Sequence, residues 1–146
     1  MTEIEFPEGF STISSNAFLD CSNLALTELP ETVTHIGSGA FKFCYSLALT
    51  KLPSGISEIQ DNTFEQCHAL ALTEIPETVT TIDYSAFYGC TGLTTLTFKG
   101  TPSSISYSTF SDCTNLTTIN VPWAEGAVEG APWGATNATI NYNYTE

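Results

Sequence analysis

Apolar residues recur along this chain at one fixed interval, not with the period of a long helix or a strand. Isoleucine returns every 23 residues at Ile13, Ile36, Ile59, Ile82 and Ile105, phenylalanine at Phe18, Phe41, Phe64, Phe87 and Phe110, and cysteine at Cys21, Cys44, Cys67, Cys90 and Cys113. A leucine follows each cysteine by three places, and proline follows each predicted strand at Pro7, Pro30, Pro53, Pro76 and Pro122, with Lys99 the exception. Recurrence at such an interval marks a solenoid, whose single turns cannot bury their own apolar edges and depend on stacking. The L-x-x-I-x-I segment predicts a strand, stopped by proline. The V-x-x-I pair then turns apolar side chains inward, and Ala-Phe or Thr-Phe places an aromatic plug in a short helical or 3₁₀ turn. Residues 1–115 form five such turns, and Leu116, Ile119 and Val121 begin a sixth strand. The pattern then breaks, so residues 1–122 read as the solenoid and 123–146, with Trp123, Trp133, Tyr142 and Tyr144, as a C-terminal cap. Large amphipathic rings suit an end that must cover apolar area.

Three turns break the pattern in the same way. They read Leu24-Ala25-Leu26-Thr27, Leu47-Ala48-Leu49-Thr50 and Leu70-Ala71-Leu72-Thr73, with threonine where Leu96 and Ile119 stand in the later turns. Regular alternation would turn Leu26, Leu49 and Leu72 outward as an apolar ladder and bury three hydroxyls. A bulge at Thr27, Thr50 and Thr73 would return the leucines to the core. The bulge is favoured, because each unbonded buried hydroxyl costs on the order of 1–3 kcal/mol, but the outward ladder stays open.

The unit has the length and L-x-x-L-x-L core of leucine-rich repeats. The string Ile36-Gly37-Ser38-Gly39-Ala40-Phe41-Lys42-Phe43-Cys44 and its echo Ile82 to Cys90 resemble the BspA-type leucine-rich repeats. The resemblance implies a right-handed, mainly β leucine-rich-repeat solenoid. It also implies the cell-surface or secreted setting of that family, whose members are commonly adhesins of matrix proteins and cells. The tail from Val121-Pro122-Trp123 to Ala131-Pro132-Trp133 resembles the C-termini of repeat proteins of gut bacteria and their phages, which implies as an alternative a host-recognition or structural part of a virion tail or self-assembling array.

Charge and residue chemistry narrow the function further. Sixteen acids face three lysines and no arginine, for a net charge of −13. An anionic surface repels phosphate backbones and anionic lipid, which argues against nucleic acid and direct membrane insertion. The N-terminus has no basic or apolar segment of signal-peptide type. His35 and His68 sit at non-core places with no catalytic companions, and no phosphate loop or nucleophile motif is present. Neither an enzyme nor a cofactor is therefore expected. One cysteine per turn lacks the close pairing of zinc sites and suits a ladder of buried free thiols rather than disulfides or metal. Acidic pairs such as Glu28 with Glu31 lack the spacing of calcium loops.

A protein or glycan ligand, met by the concave sheet, is the remaining expectation. Its candidate contacts are Leu26, Leu49, Leu72, Thr95 and Thr118 in one row and Glu28, Lys51, Glu74, Thr97 and Asn120 in the next, with Glu3 and Glu5 at the start of the rows. The first turn begins in repeat register at Ile4 and Phe6. That edge would be protected by the charges of Glu3, Glu5 and Glu8 or covered, for instance by a second copy in a homo-oligomer.

Overall fold

The computed structural model describes residues 4–146. Its strands are β1 (Thr12–Ile13), β2 (His35–Ile36), β3 (Glu58–Ile59), β4 (Glu74–Ile75), β5 (Thr81–Ile82), β6 (Thr95–Phe98), β7 (Ser104–Ile105), β8 (Thr118–Asn120) and β9 (Thr139–Asn141). All pair in parallel, in the orders β1-β2, β3-β5-β7 and β4-β6-β8-β9. Register follows the repeat, with Ile59 opposite Ile82, Ile82 opposite Ile105 and Leu96 opposite Ile119. The recurrent isoleucines thus supply the short strands of two small sheets, and the later turns enter a longer sheet beside their leucines.

Phenylalanine fills the centre. The rings of Phe18, Phe41, Phe64, Phe87 and Phe110 stack in one column, with successive centroids 5.2, 5.7, 5.5 and 5.6 Å apart. Residues 123–146 carry the stack one step further. Trp133, fully buried, stands 23 residues after Phe110, and β9 pairs with β8 so that Ile140 lies opposite Ile119. Thr139 follows Thr118 by 21 positions, so this sixth turn is shorter than the others. Trp123 meets Phe98 edge-on at 5.3 Å and Trp133 at 6.0 Å, closing the apolar column.

The plug segments are not helical: among the described residues no helix forms. The reason lies in how their N–H groups are used. Ala17, Leu19 and Cys21 donate three residues back within the turn, whereas Asn16, Phe18 and Asp20 donate to carbonyls of the next turn at Ser38, Ala40 and Lys42. This alternation requires left-handed backbone at intervals, and φ is positive at Asn16, Gly39, Asn62 and Ser85 and again at Asp20, Phe43, Gln66, Gly89 and Asp112. Asn, Asp and Gly tolerate that region best. A helix would have spent the same donors inside its own turn; here half of them tie one turn to the next.

The cysteines add a second inter-turn bond. The thiols of Cys44, Cys67, Cys90 and Cys113 donate to the carbonyls of Phe18, Phe41, Phe64 and Phe87 at 2.9–3.1 Å. All five are free, and those four are buried while Cys21, in the first turn, is partly exposed. Burial pushes the thiols up, to about 12 for Cys44 and Cys113, and well above the ordinary value for Cys67 and Cys90.

Candidate recognition surface

The leucine question is settled by burial. Leu49 and Leu72 are 0% and 2% exposed, Leu26 is partly buried against the core, and Thr27, Thr50 and Thr73 face solvent. The outward apolar ladder is therefore corrected, and Leu26, Leu49 and Leu72 are core residues. In the early turns the inward side chains are Leu24, Leu26 and Leu29, with Thr27 and Glu28 both outward. In the fifth turn they are Leu93, Leu96 and Phe98, with Thr94 and Thr95 both outward. Both patterns bury three apolar side chains in six residues. They differ only in where two consecutive residues face out.

This shift decides what the sheet presents. Where the double outward step comes late, strand pairing shrinks: residues 26–28 and 49–51 form no ladder of regular strand bonds, and the fourth turn keeps only the two-residue β4. Single bonds replace it, from Ala48 N–H to Leu26 O at 3.0 Å and from Thr50 N–H to Thr27 O at 3.2 Å. In β6 and β8 the strands run unbroken, with Thr95 opposite Thr118 and Thr97 opposite Asn120.

The remaining candidates fall into two groups. Glu28, Lys51 and Glu74 are exposed at successive places on the outer face, as is Thr95. Thr97, Asn120 and Asn141 instead bond one another: Asn120 Nδ2 donates to Thr97 Oγ1 at 3.1 Å, and Asn141 Nδ2 donates to Asn120 Oδ1 at 2.7 Å. Asn120 is only 6% exposed, so its amide serves this ladder. Thr118 is half-buried in the same region. Glu5 lies exposed near the first turn, and Glu3 falls outside the described residues.

Beside the exposed group is a groove of about 370 Å³ lined by Glu31, Lys51, Ser54, Glu74, Thr78 and Lys99. Ser54 donates to the Glu31 carboxylate from its N–H at 3.2 Å and its hydroxyl at 2.9 Å. The backbone bond, then the hydroxyl, and to a smaller degree the charge of Lys51 hold that carboxyl below its ordinary value. Lys51 and Lys99 contact Glu31 at 3.9 Å and Glu146 at 2.6 Å. Exposed pairs of this kind add little stability, so both ammonium groups can exchange partners. Sequence reasoning missed Ser54, Thr78 and Lys99, and met Glu31 only as half of an acidic pair unsuited to calcium. Of the missed three, Lys99 left a trace, as the one break in the proline series.

The histidines lie apart from this surface and from each other. His35 is exposed in β2, and His68 bonds Gln66 at 2.8 Å and stacks on Tyr45 at 5.0 Å. Among the described residues no three His, Cys, Asp or Glu side chains converge to hold a metal.

The family model for the BspA type leucine rich repeat region matches residues 1–117 in six copies. Among solved structures, the chain is 33% identical to a leucine-rich cell surface protein of Faecalibacterium prausnitzii, with a TM-score of 0.74 over 84% of this chain and 32% of that one. It is 28% identical to a leucine-rich-repeat protein of T. pallidum, with a TM-score of 0.73 over 93% of this chain and 64% of that one. A leucine-rich repeat protein from Bacteroides ovatus is 27% identical, with a TM-score of 0.53 over 75% of this chain. The chain thus spans about a third of the first of these proteins and under two thirds of the second. No curated relative matches the chain.

Proposed function

Because the chain belongs to the BspA-type leucine-rich-repeat family, we propose that it works as a non-catalytic recognition module, binding a protein or glycan ligand on the outer face that runs from Glu28 and Lys51 onto the longer sheet at Glu74. The observation that carries this reading is the exposed series Glu28, Lys51 and Glu74, spaced one turn apart beside a groove that holds Lys51 and Lys99. A solenoid fixes such side chains on backbone tied to both neighbouring turns, so a ligand meets them with little ordering cost. The surface is mixed in charge there and acidic elsewhere, which favours a partner that presents both signs. Surface display is supported by the likeness to a cell surface protein of Faecalibacterium prausnitzii.

The test is an array of extracellular-matrix proteins and glycans, followed by titration of the best binder. Charge reversal in the double variant Lys51→Glu and Glu74→Lys should weaken that binding by about tenfold or more, since each lost central contact is worth roughly 1 kcal/mol or more. Unchanged affinity would place the binding elsewhere.

A further inference from the structure

A second surface, sharing no residue with the sheet face, has a chemistry of its own. A groove of about 400 Å³ runs beside the ends of β5 and β7, lined by Asp83, Tyr84, Ser104, Tyr107 and Glu129. An adjoining recess of about 360 Å³ shares Ser104 and Glu129, so together they accommodate an extended segment. The wall opposite the strands is the loop of the sixth turn, fixed where Trp133 Nε1 donates to the Glu129 carbonyl at 2.8 Å.

Two features stand out. Tyr84 and Tyr107, one turn apart, are 57% and 70% exposed, with rings 5.8 Å apart and nearly perpendicular. Rings so placed cover little of the core, and the ring faces not used in their edge-on contact stay open to a ligand. The charged groups around them are all acids. Asp83 and Glu129 line the groove, and Asp61 and Glu58 lie close enough on the preceding turn to raise the Asp83 carboxyl, after the larger effect of its own burial. No lysine answers them: Lys42, Lys51 and Lys99 pair with Glu65, Glu31 and Glu146.

We infer that this groove binds a cationic side chain, arginine above lysine, on a basic segment of a partner protein, laid against an open ring face of the Tyr84–Tyr107 pair and reaching the carboxylates of Asp83 and Glu129. Ring faces attract cations, and a guanidinium both stacks flat on an aromatic ring and reaches carboxylates with several donors. A neutral sugar would satisfy the rings and leave the carboxylates uncompensated.

Calorimetric titration of the full chain with hexaarginine, hexalysine, hexaserine and maltohexaose tests this. The net charge of −13 alone would attract any polycation, so the deciding variants keep the charge. Tyr84→Ala with Tyr107→Ala should weaken hexaarginine binding by about 5-fold or more, and Tyr84→Phe with Tyr107→Phe should retain it within about 2-fold, because the ring face is kept. Asp83→Asn should weaken it as well, and by more than Glu8→Gln with Asp20→Asn, which removes two exposed acids outside both surfaces. Hexaarginine should bind more tightly than hexalysine, and hexaserine and maltohexaose should not bind. The inference is overturned if hexaarginine does not bind, if the alanine pair binds like the parent, or if maltohexaose binds with the same tyrosine dependence. Its failure leaves the sheet-face reading standing, since the two surfaces share no residue.

Discussion

Phe64 has a ring on each side, Phe41 at 5.7 Å and Phe87 at 5.5 Å, both close to parallel, and no exposed surface. Truncation there removes packing with both neighbouring turns. Phe64→Ala should cost about 3–5 kcal/mol, read as a large fall in the urea midpoint; a midpoint near the parent's would contradict the stacked core. The cysteines make a related point. Four are sealed and bonded to the carbonyl of a phenylalanine, so a thiol reagent without denaturant should label Cys21 first and the others only after unfolding. Rapid labelling of three or more would contradict their burial. The raised thiols also link stability to pH. The ordinary value is 9.0 and Cys44 and Cys113 lie at about 12. The unfolded chain therefore loses protons that the folded chain keeps, and stability present below pH 9 falls as pH rises toward 12. Each thiol contributes at most about 1.4 kcal/mol per pH unit in that window. Thermal melts from pH 8 upward should show the decline, shallower in Cys44→Ala, and an equal slope in that variant would argue against the linkage. The 23-residue interval made these cysteines legible as a buried ladder. Their bond to the phenylalanine carbonyl was not, because it depends on a backbone path that no side-chain pattern encodes.

At the scale of the turn, the sequence showed that Leu26, Leu49 and Leu72 are displaced but not which way they point. A strict alternation rule sends them out, whereas moving the double outward step along the strand keeps them in. The hydroxyl cost favoured the second, and burial agrees. Leu72→Thr should therefore cost about 2–4 kcal/mol, and Thr73→Leu should stay within about 0.5 kcal/mol, measured by denaturant titration. The reverse order would restore the outward ladder. Gly92 stands at the change of pattern, where the fourth turn meets the fifth. A Cβ there would lie 2.6 Å from the Leu70 carbonyl oxygen and 2.7 Å from that of His68. The expected helical or 3₁₀ plug segments proved instead to be single turns with left-handed residues. Asn16, Gly39, Asn62 and Asp20 carried a hint of this, whereas Phe43 and Gln66 hid it by standing at positive φ without a side chain suited to it.

For the whole molecule, the period gave the solenoid and the place of its longer sheet, because stacking must satisfy every turn alike. The surfaces were harder to read. Tyr84 and Tyr107 and the groove around Lys51 and Lys99 occupy variable places of the repeat, which stacking does not constrain. Residues 123–146 read as a departure because Trp133 replaces phenylalanine and the turn shortens, yet they supply β9 and the end of the aromatic column. At the N-terminal end Ile4, Phe6, Phe10 and Phe18 are only partly buried, a weaker apolar closure than the tryptophans provide at the other. The central claim is that the outer face bearing Glu28, Lys51 and Glu74 carries recognition. The most direct measurement is backbone amide chemical-shift mapping on the labelled chain as the best partner from the matrix and glycan array is titrated in. The account predicts perturbations clustered at Glu28, Lys51, Glu74 and Thr95 and along the groove to Lys99, with the phenylalanine column unmoved. Perturbations confined to other faces, or a specific partner that leaves these amides unshifted, would contradict it.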